Sequence, residues 1–128
     1  MSHSPWEAQE VLQEIRREIA ALERCQTRSV LLLDESADEK ASARTAGAGR
    51  QYNGRLGKVE MSQVGVFLAY VNDGWWTWVD GELFIPAAWF QRGRAKERQR
   101  LALPPARRFQ TKVELGWQMM QRVHAEGL

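Results

Sequence analysis

The sequence predicts an α/β domain of the α+β kind, a three-stranded antiparallel sheet with flanking helices. Three observations carry this. SVLLL and SQVGVFLAYV are short runs, apolar at both alternating sets of positions, as strands covered on two faces are. WWTWVDGELFI follows the second run across Asn72-Asp73-Gly74, a dipeptide-plus-glycine signal for a tight hairpin turn. Apolar residues at helical spacing stand at both ends of the chain.

The first element is a helix. Ser4, Pro5 and Glu7 supply an N-cap, a proline at the first helical position and the returning glutamate of a capping box. Val11, Leu12, Ile15, Ile19 and Leu22 form its apolar stripe. Strands follow near 29–34, 62–72 and 75–85. The first reads as a central, covered strand, and the ASARTAGAGR stretch after it as a loop. Trp75, Trp76 and Trp78 read as core and edge cover, with a stacking platform for bases as the alternative. Pro86 to Leu101 reads as a helix, ended by Pro104-Pro105. Thr111 and Glu114 make a second capping box for a last helix whose stripe is Val113, Gly116, Trp117, Met120 and Val123.

At 128 residues the chain has the length of one domain. No apolar run is long enough to span a membrane, and MSHSPWEAQE lacks the features of a signal peptide. Cys25 is the sole cysteine, and with His3 and His124 it makes no zinc site. A cytoplasmic protein fits this composition best. The net charge of +2 is unevenly spread: residues 1–40 sum to −4 and residues 41–128 to +6. QRGRAKERQRLALPPARR is the densest basic block. It reads either as a solvated helix face or as a surface for nucleic-acid phosphates.

Several motifs fail. GAGRQYNG has no Gly-Lys-Ser/Thr for a P-loop and has Tyr52 where a dinucleotide fingerprint needs glycine. No Gly-x-Ser-x-Gly elbow occurs. The carboxylates remain. VLLLDESADEK runs four apolar residues into Asp34, followed by Glu35, Asp38 and Glu39. An aspartate at a strand end is either where the strand meets water or an oxygen ligand for a hard cation.

The ordered set LLLDESADEK, RQYNGRLGK, QVGVFLAY, DGELFIP and FQTKVELG resembles DDE-superfamily transposases, the endonucleases of insertion sequences, built on a ribonuclease-H-like core. The resemblance covers roughly residues 28–128. It implies that residues 1–27 are a separate N-terminal helix and that 28–128 are the N-terminal half of the catalytic domain, an incomplete ribonuclease-H-like core. It assigns Asp34, in the DES context, as a catalytic residue and metal ligand for Mg²⁺ or Mn²⁺. It places Arg50, Arg55 and Lys58 in a shared segment as DNA-phosphate or structural contacts, and Arg94, Arg98 and Arg100 join them on the basic block. The family pattern departs in two places. ASARTAGAG replaces most of a Lys/Gly-rich stretch, and the strand with the second Asp would follow HAEGL.

The resulting expectation is a truncated transposase whose parent activity is metal-dependent DNA cleavage and strand transfer at transposon ends, inactive as this chain alone. Its partners would be DNA and a full-length transposase or a missing C-terminal half. The alternative is a non-catalytic basic module that binds DNA or a transposase. A plain remnant is the third reading.

Overall fold

A computed structural model describes residues 7–22 and 28–128. The elements run α1 (Ala8–Ala20), β1 (Val30–Glu39), β2 (Gly49–Asn53), β3 (Lys58–Asn72), β4 (Trp75–Phe84), two 3-10 turns (Ala87–Phe90 and Arg92–Arg94), α2 (Ala95–Arg100) and α3 (Lys112–Ala125). The four strands make one open antiparallel sheet, ordered β1-β3-β2 with β4 also paired to β3. The sheet thus has four strands where the sequence predicts three.

The extra strand, β2, comes from the RQYNGRLGK segment. Arg50 to Asn53 pair with Lys58 to Met61, with Asn53 opposite Lys58. The four-residue turn between them is tied down by Asn53. Its carbonyl accepts from Gly57 N at 2.8 Å, and its Oδ1 accepts from Arg55 N at 3.1 Å. Gly57 has φ +68, a conformation that costs a side-chain-bearing residue about 1–2 kcal/mol. The β3–β4 turn meets the same demand with Gly74 at φ +84, as the Asn-Asp-Gly signal predicts.

The first strand differs from its expected place. β1 is an edge strand, paired only to β3, and most of it is exposed, with Val30 and Leu32 each 54% open. Apolar residues on both faces therefore do not make it central. Asp34 is also the fifth of ten strand residues, not the strand's end. β3 takes the central position, and its Val64, Val66, Leu68 and Tyr70 are all buried.

The helices also correct the sequence reading. The Ser4 and Pro5 part of the first capping box lies outside the described residues, and α1 begins after Glu7. Ile19 is buried in α1, but Val11 and Leu22 are exposed, and Arg16 occupies the inner position instead. Pro86 to Leu101 is not one helix but two 3-10 turns and six residues of α2. In α3 the Thr111 cap is real, its hydroxyl accepting from Glu114 N at 3.1 Å. The covered face, however, is Leu115, Gly116, Met119 and Val123, while Val113 and Trp117 face solvent. Trp76 and Trp78 are likewise exposed at 60% and 47%, so they are not core. They pack edge-on against each other, with Phe67 beside Trp78.

The chain groups into two compact units. The first comprises Met1–Asp34, Phe67–Gly81 and Gly116–Leu128, the second Glu35–Val66 and Glu82–Leu115. Ile19, Leu68, Tyr70, Val79, Met119 and Val123 fill the core of the first. Trp89 anchors the second: its ring is buried, and its indole N–H donates to the Ala48 carbonyl at 2.8 Å. Burying an aromatic of this size is worth several kcal/mol, and the satisfied N–H removes the cost of hiding a donor.

Candidate functional site

Side chains alternate across β1, so Leu31 and Leu33 point one way and Val30, Leu32 and Asp34 the other. Leu33 lies against Gly116 of α3. Asp34 therefore projects from the sheet face opposite α3, and it is exposed. Ser36 and Asp38 follow on its side of the strand at the same two-residue period.

Three further acidic side chains of β1 are engaged by cations. Glu35 holds Lys112 at 2.8 Å, Asp38 holds Lys40 at 2.7 Å, and Glu39 holds Arg55 at 2.7 Å. The hydrogen bond from Lys40, and then its charge, keep the Asp38 carboxyl below its usual range. Among the described residues no group of three His, Cys, Asp or Glu is placed to hold a metal ion. An Mg²⁺ or Mn²⁺ needs several oxygen ligands. Asp34 offers one such ligand, and the residues around it do not by themselves fit a two-ion centre.

The basic residues fall into two groups. Arg50, Arg55, Lys58 and Arg100 are exposed. Arg55 is paired to Glu39, and Lys58 lies 3.5 Å from Glu60. A backbone hydrogen bond from Met61 and then the Lys58 charge hold the Glu60 carboxyl low. Arg94 and Arg98, by contrast, are partly buried and held by neighbours within the second unit. Arg94 lies over the Trp89 ring at 4.1 Å and pairs with Glu97 at 3.0 Å. Arg98 Nη1 donates to the carbonyls of Trp89 at 2.7 Å and Gln91 at 2.9 Å. All six predicted phosphate contacts lie in the second unit, which holds thirteen lysines and arginines against seven aspartates and glutamates. Its net charge is +6, so the chain's positive charge is concentrated there.

Sequence reasoning missed one polar cluster. Asp80, fully buried on β4, accepts from Arg122 of α3 at 2.6 Å and lies 3.9 Å from Arg16 of α1. Arg16 also donates to the Val79 carbonyl at 2.7 Å and pairs with Glu126. This cluster is built from side chains that satisfy one another, and it ties α1, β4 and α3 together. Its one legible sign was Arg16 itself, four residues after Leu12 and three before Ile19, a charge inside an apolar stripe.

No helix among the described residues is long and apolar enough to cross a membrane. No curated protein and no solved structure gives a significant match to the chain. The family model for DDE superfamily endonucleases matches residues 1–128. Members of that superfamily generally use divalent metal ions and act on DNA. The match extends through α1, which the motif resemblance had left out, and the open antiparallel sheet with flanking helices is consistent with this nuclease fold. From its first residue to its last, the chain belongs to the DDE superfamily of endonucleases.

Proposed function

We propose that residues 1–128 are the N-terminal part of a transposase catalytic domain, cutting and joining DNA at the ends of an insertion sequence. The observation that carries this is the exposed Asp34 carboxylate, on a sheet strand of a chain matched throughout by the endonuclease family. In this reading Asp34 supplies one oxygen ligand to divalent metal, Mg²⁺ or Mn²⁺. When bound, such ions would supply Lewis-acid charge at the phosphodiester. Arg50, Lys58 and Arg100 meet DNA phosphates, which fix register without reading sequence. Arg55 joins them by exchanging Glu39 for a phosphate. The remaining metal ligands come from residues outside 1–128 or from a partner transposase, and these 128 residues alone do not cleave DNA. The cytoplasm is the compartment that fits.

A second reading has one observation in its favour. The +6 charge of the second unit is there whether or not a metal centre is completed. A non-catalytic module that binds DNA, or that interferes with a full-length transposase, would use that charge alone.

Supplying the C-terminal half in trans and measuring nicking of transposon-end DNA with Mg²⁺ or Mn²⁺ separates the two. Wild type should nick and Asp34→Asn should not, with DNA binding retained in both. Nicking that survives Asp34→Asn sinks the catalytic assignment and leaves the binding module.

A further inference from the structure

A cavity of about 580 Å³ lies between α2 and the turn that follows it, wholly within the second unit. Small-molecule sites span a range that includes this volume. Phe90, Leu103, Pro104 and Pro105 form its apolar wall, and Arg98, Gln99 and Arg107 its polar one. No carboxylate lines it.

The two arginines differ. Arg107 is spent on Glu82 at 3.3 Å and on the Leu83 carbonyl at 2.6 Å, which fixes its side of the wall. Arg98 is pinned by two neutral carbonyls, and no carboxylate of the described residues lies within ion-pair distance of it. A half-buried cation held in place but not neutralised attracts an anion more strongly than a solvated one does. Its rigid fork suits phosphate.

The backbone around the cavity is fixed before any ligand arrives. Leu103 N donates to Arg98 O at 3.0 Å, and Arg107 N donates to Pro104 O at 2.9 Å. Ala102 lines the cavity with φ +55, at a helix-end position where glycine is the usual residue. Its methyl is kept there at the cost of strain, a pattern that clusters at binding sites. Phe90 is braced by Phe109, ring to ring at 6.3 Å.

We infer that this cavity binds one nucleotide unit of a DNA strand, with the phosphate on Arg98, the base against Phe90 and the prolines, and Gln99 at the base edge. The inference rests on DNA being the substrate, as proposed above. The apolar wall is too extensive for phosphate alone, whereas an aromatic ring beside a cation is how single strands are held without sequence readout.

The test is NMR titration of residues 1–128 with the dinucleotide dTpdT, thymidine 5′-phosphate, thymidine and inorganic phosphate. The dinucleotide should shift the Ala95 and Ala102 methyl signals and bind at least tenfold more tightly than thymidine or inorganic phosphate, each of which offers only one of the two contacts. Gln99→Trp, which fills the cavity from an exposed helix position, should abolish those shifts in a chain that stays folded. Arg98→Gln should weaken dTpdT at least tenfold. Binding of thymidine 5′-phosphate at least tenfold tighter than dTpdT would assign the cavity to a free nucleotide and overturn the strand assignment. Equal binding of phosphate, or shifts that survive Gln99→Trp, would overturn the site. Salt-dependent binding of a long duplex, measured alongside, keeps the two proposals apart. If the duplex binds and dTpdT does not, only the cavity inference falls; if neither binds, the DNA reading falls with it.

Discussion

Arg122 of α3 reaches Asp80 of β4 at 2.6 Å, and the carboxylate it meets is fully buried. The same carboxylate accepts Gly81 N at 2.9 Å and lies 3.9 Å from the buried Arg16. Removing Asp80 would leave Arg16 buried with one fewer counter-charge. Breaking one side of a buried pair costs about 3–5 kcal/mol. Asp80→Ala should therefore lower unfolding stability by about that amount, read as a fall in the urea midpoint. Arg122→Ala takes two charge-assisted hydrogen bonds from the same buried carboxylate and should cost about 1.5–3 kcal/mol, less than Asp80→Ala because Arg16 remains 3.9 Å away.

Glu126 sets an acid limit on the same cluster. The hydrogen bond from Arg16, and then the charges of Arg16 and Arg122, hold its carboxyl below the usual 4.5 despite an opposing burial effect. A group with a depressed folded-state pKa stabilises above its unfolded value and loses that contribution as pH falls through its folded value. Stability should hold near neutrality and decline below about pH 4.5, the usual value just given. In Glu126→Gln the neutral-pH midpoint should be lower, and the drop below about pH 4.5 shallower. Urea titrations at several pH values measure both.

The basic residues should divide by burial. Arg98→Ala strips two carbonyls of their donor and should destabilise by about 1–3 kcal/mol. Arg50→Ala, Lys58→Ala and Arg100→Ala should leave stability within about 0.5 kcal/mol. Each should weaken DNA binding equally for all sequences and reduce the dependence of log K on log salt by about one unit. Binding isotherms on unrelated duplexes at several salt concentrations are the measurement. A salt slope unchanged in the triple variant would return these residues to a solvated surface.

Ala102 should respond to glycine in the opposite sense from most helix positions. Ala102→Gly relieves the left-handed backbone at φ +55. The gain is partly offset by the greater freedom of glycine in the unfolded chain, leaving about 0.5–1 kcal/mol of net stabilisation. Thermal unfolding should show a higher midpoint.

The hairpin of β3 and β4 was legible because alternation, a β-branched run and an Asn-Asp-Gly turn all point to the same structure. β2 was not legible: GRQYN is polar and glycine-led, and only its pairing with β3 makes it a strand. The strand position of β1 was misjudged because apolar content reports what can be covered, not what is. The Pro86–Leu101 segment has helical composition, but its backbone settles into tight turns around Trp89, whose carbonyl is held by Arg98. For the site, sequence located the basic residues but not which of them are held by neighbouring groups, since Arg94 and Arg98 look no different from Arg100 in a list of charges. The Arg16 cluster joins residues 63 and 110 positions apart, a separation at which local pattern carries no information.

The edge position of β1 ties solubility to charge state. A ten-residue strand that opens with four exposed or half-exposed apolar residues is a template on which a second molecule's strand can dock. Glu35, Asp38 and Glu39 hold Lys112, Lys40 and Arg55 along that strand, so a second copy laid alongside would have to displace charged pairs and strip their water before its backbone could dock. These pairs are the strand's gatekeepers, and salt that screens them lowers the concentration at which strands begin to stack.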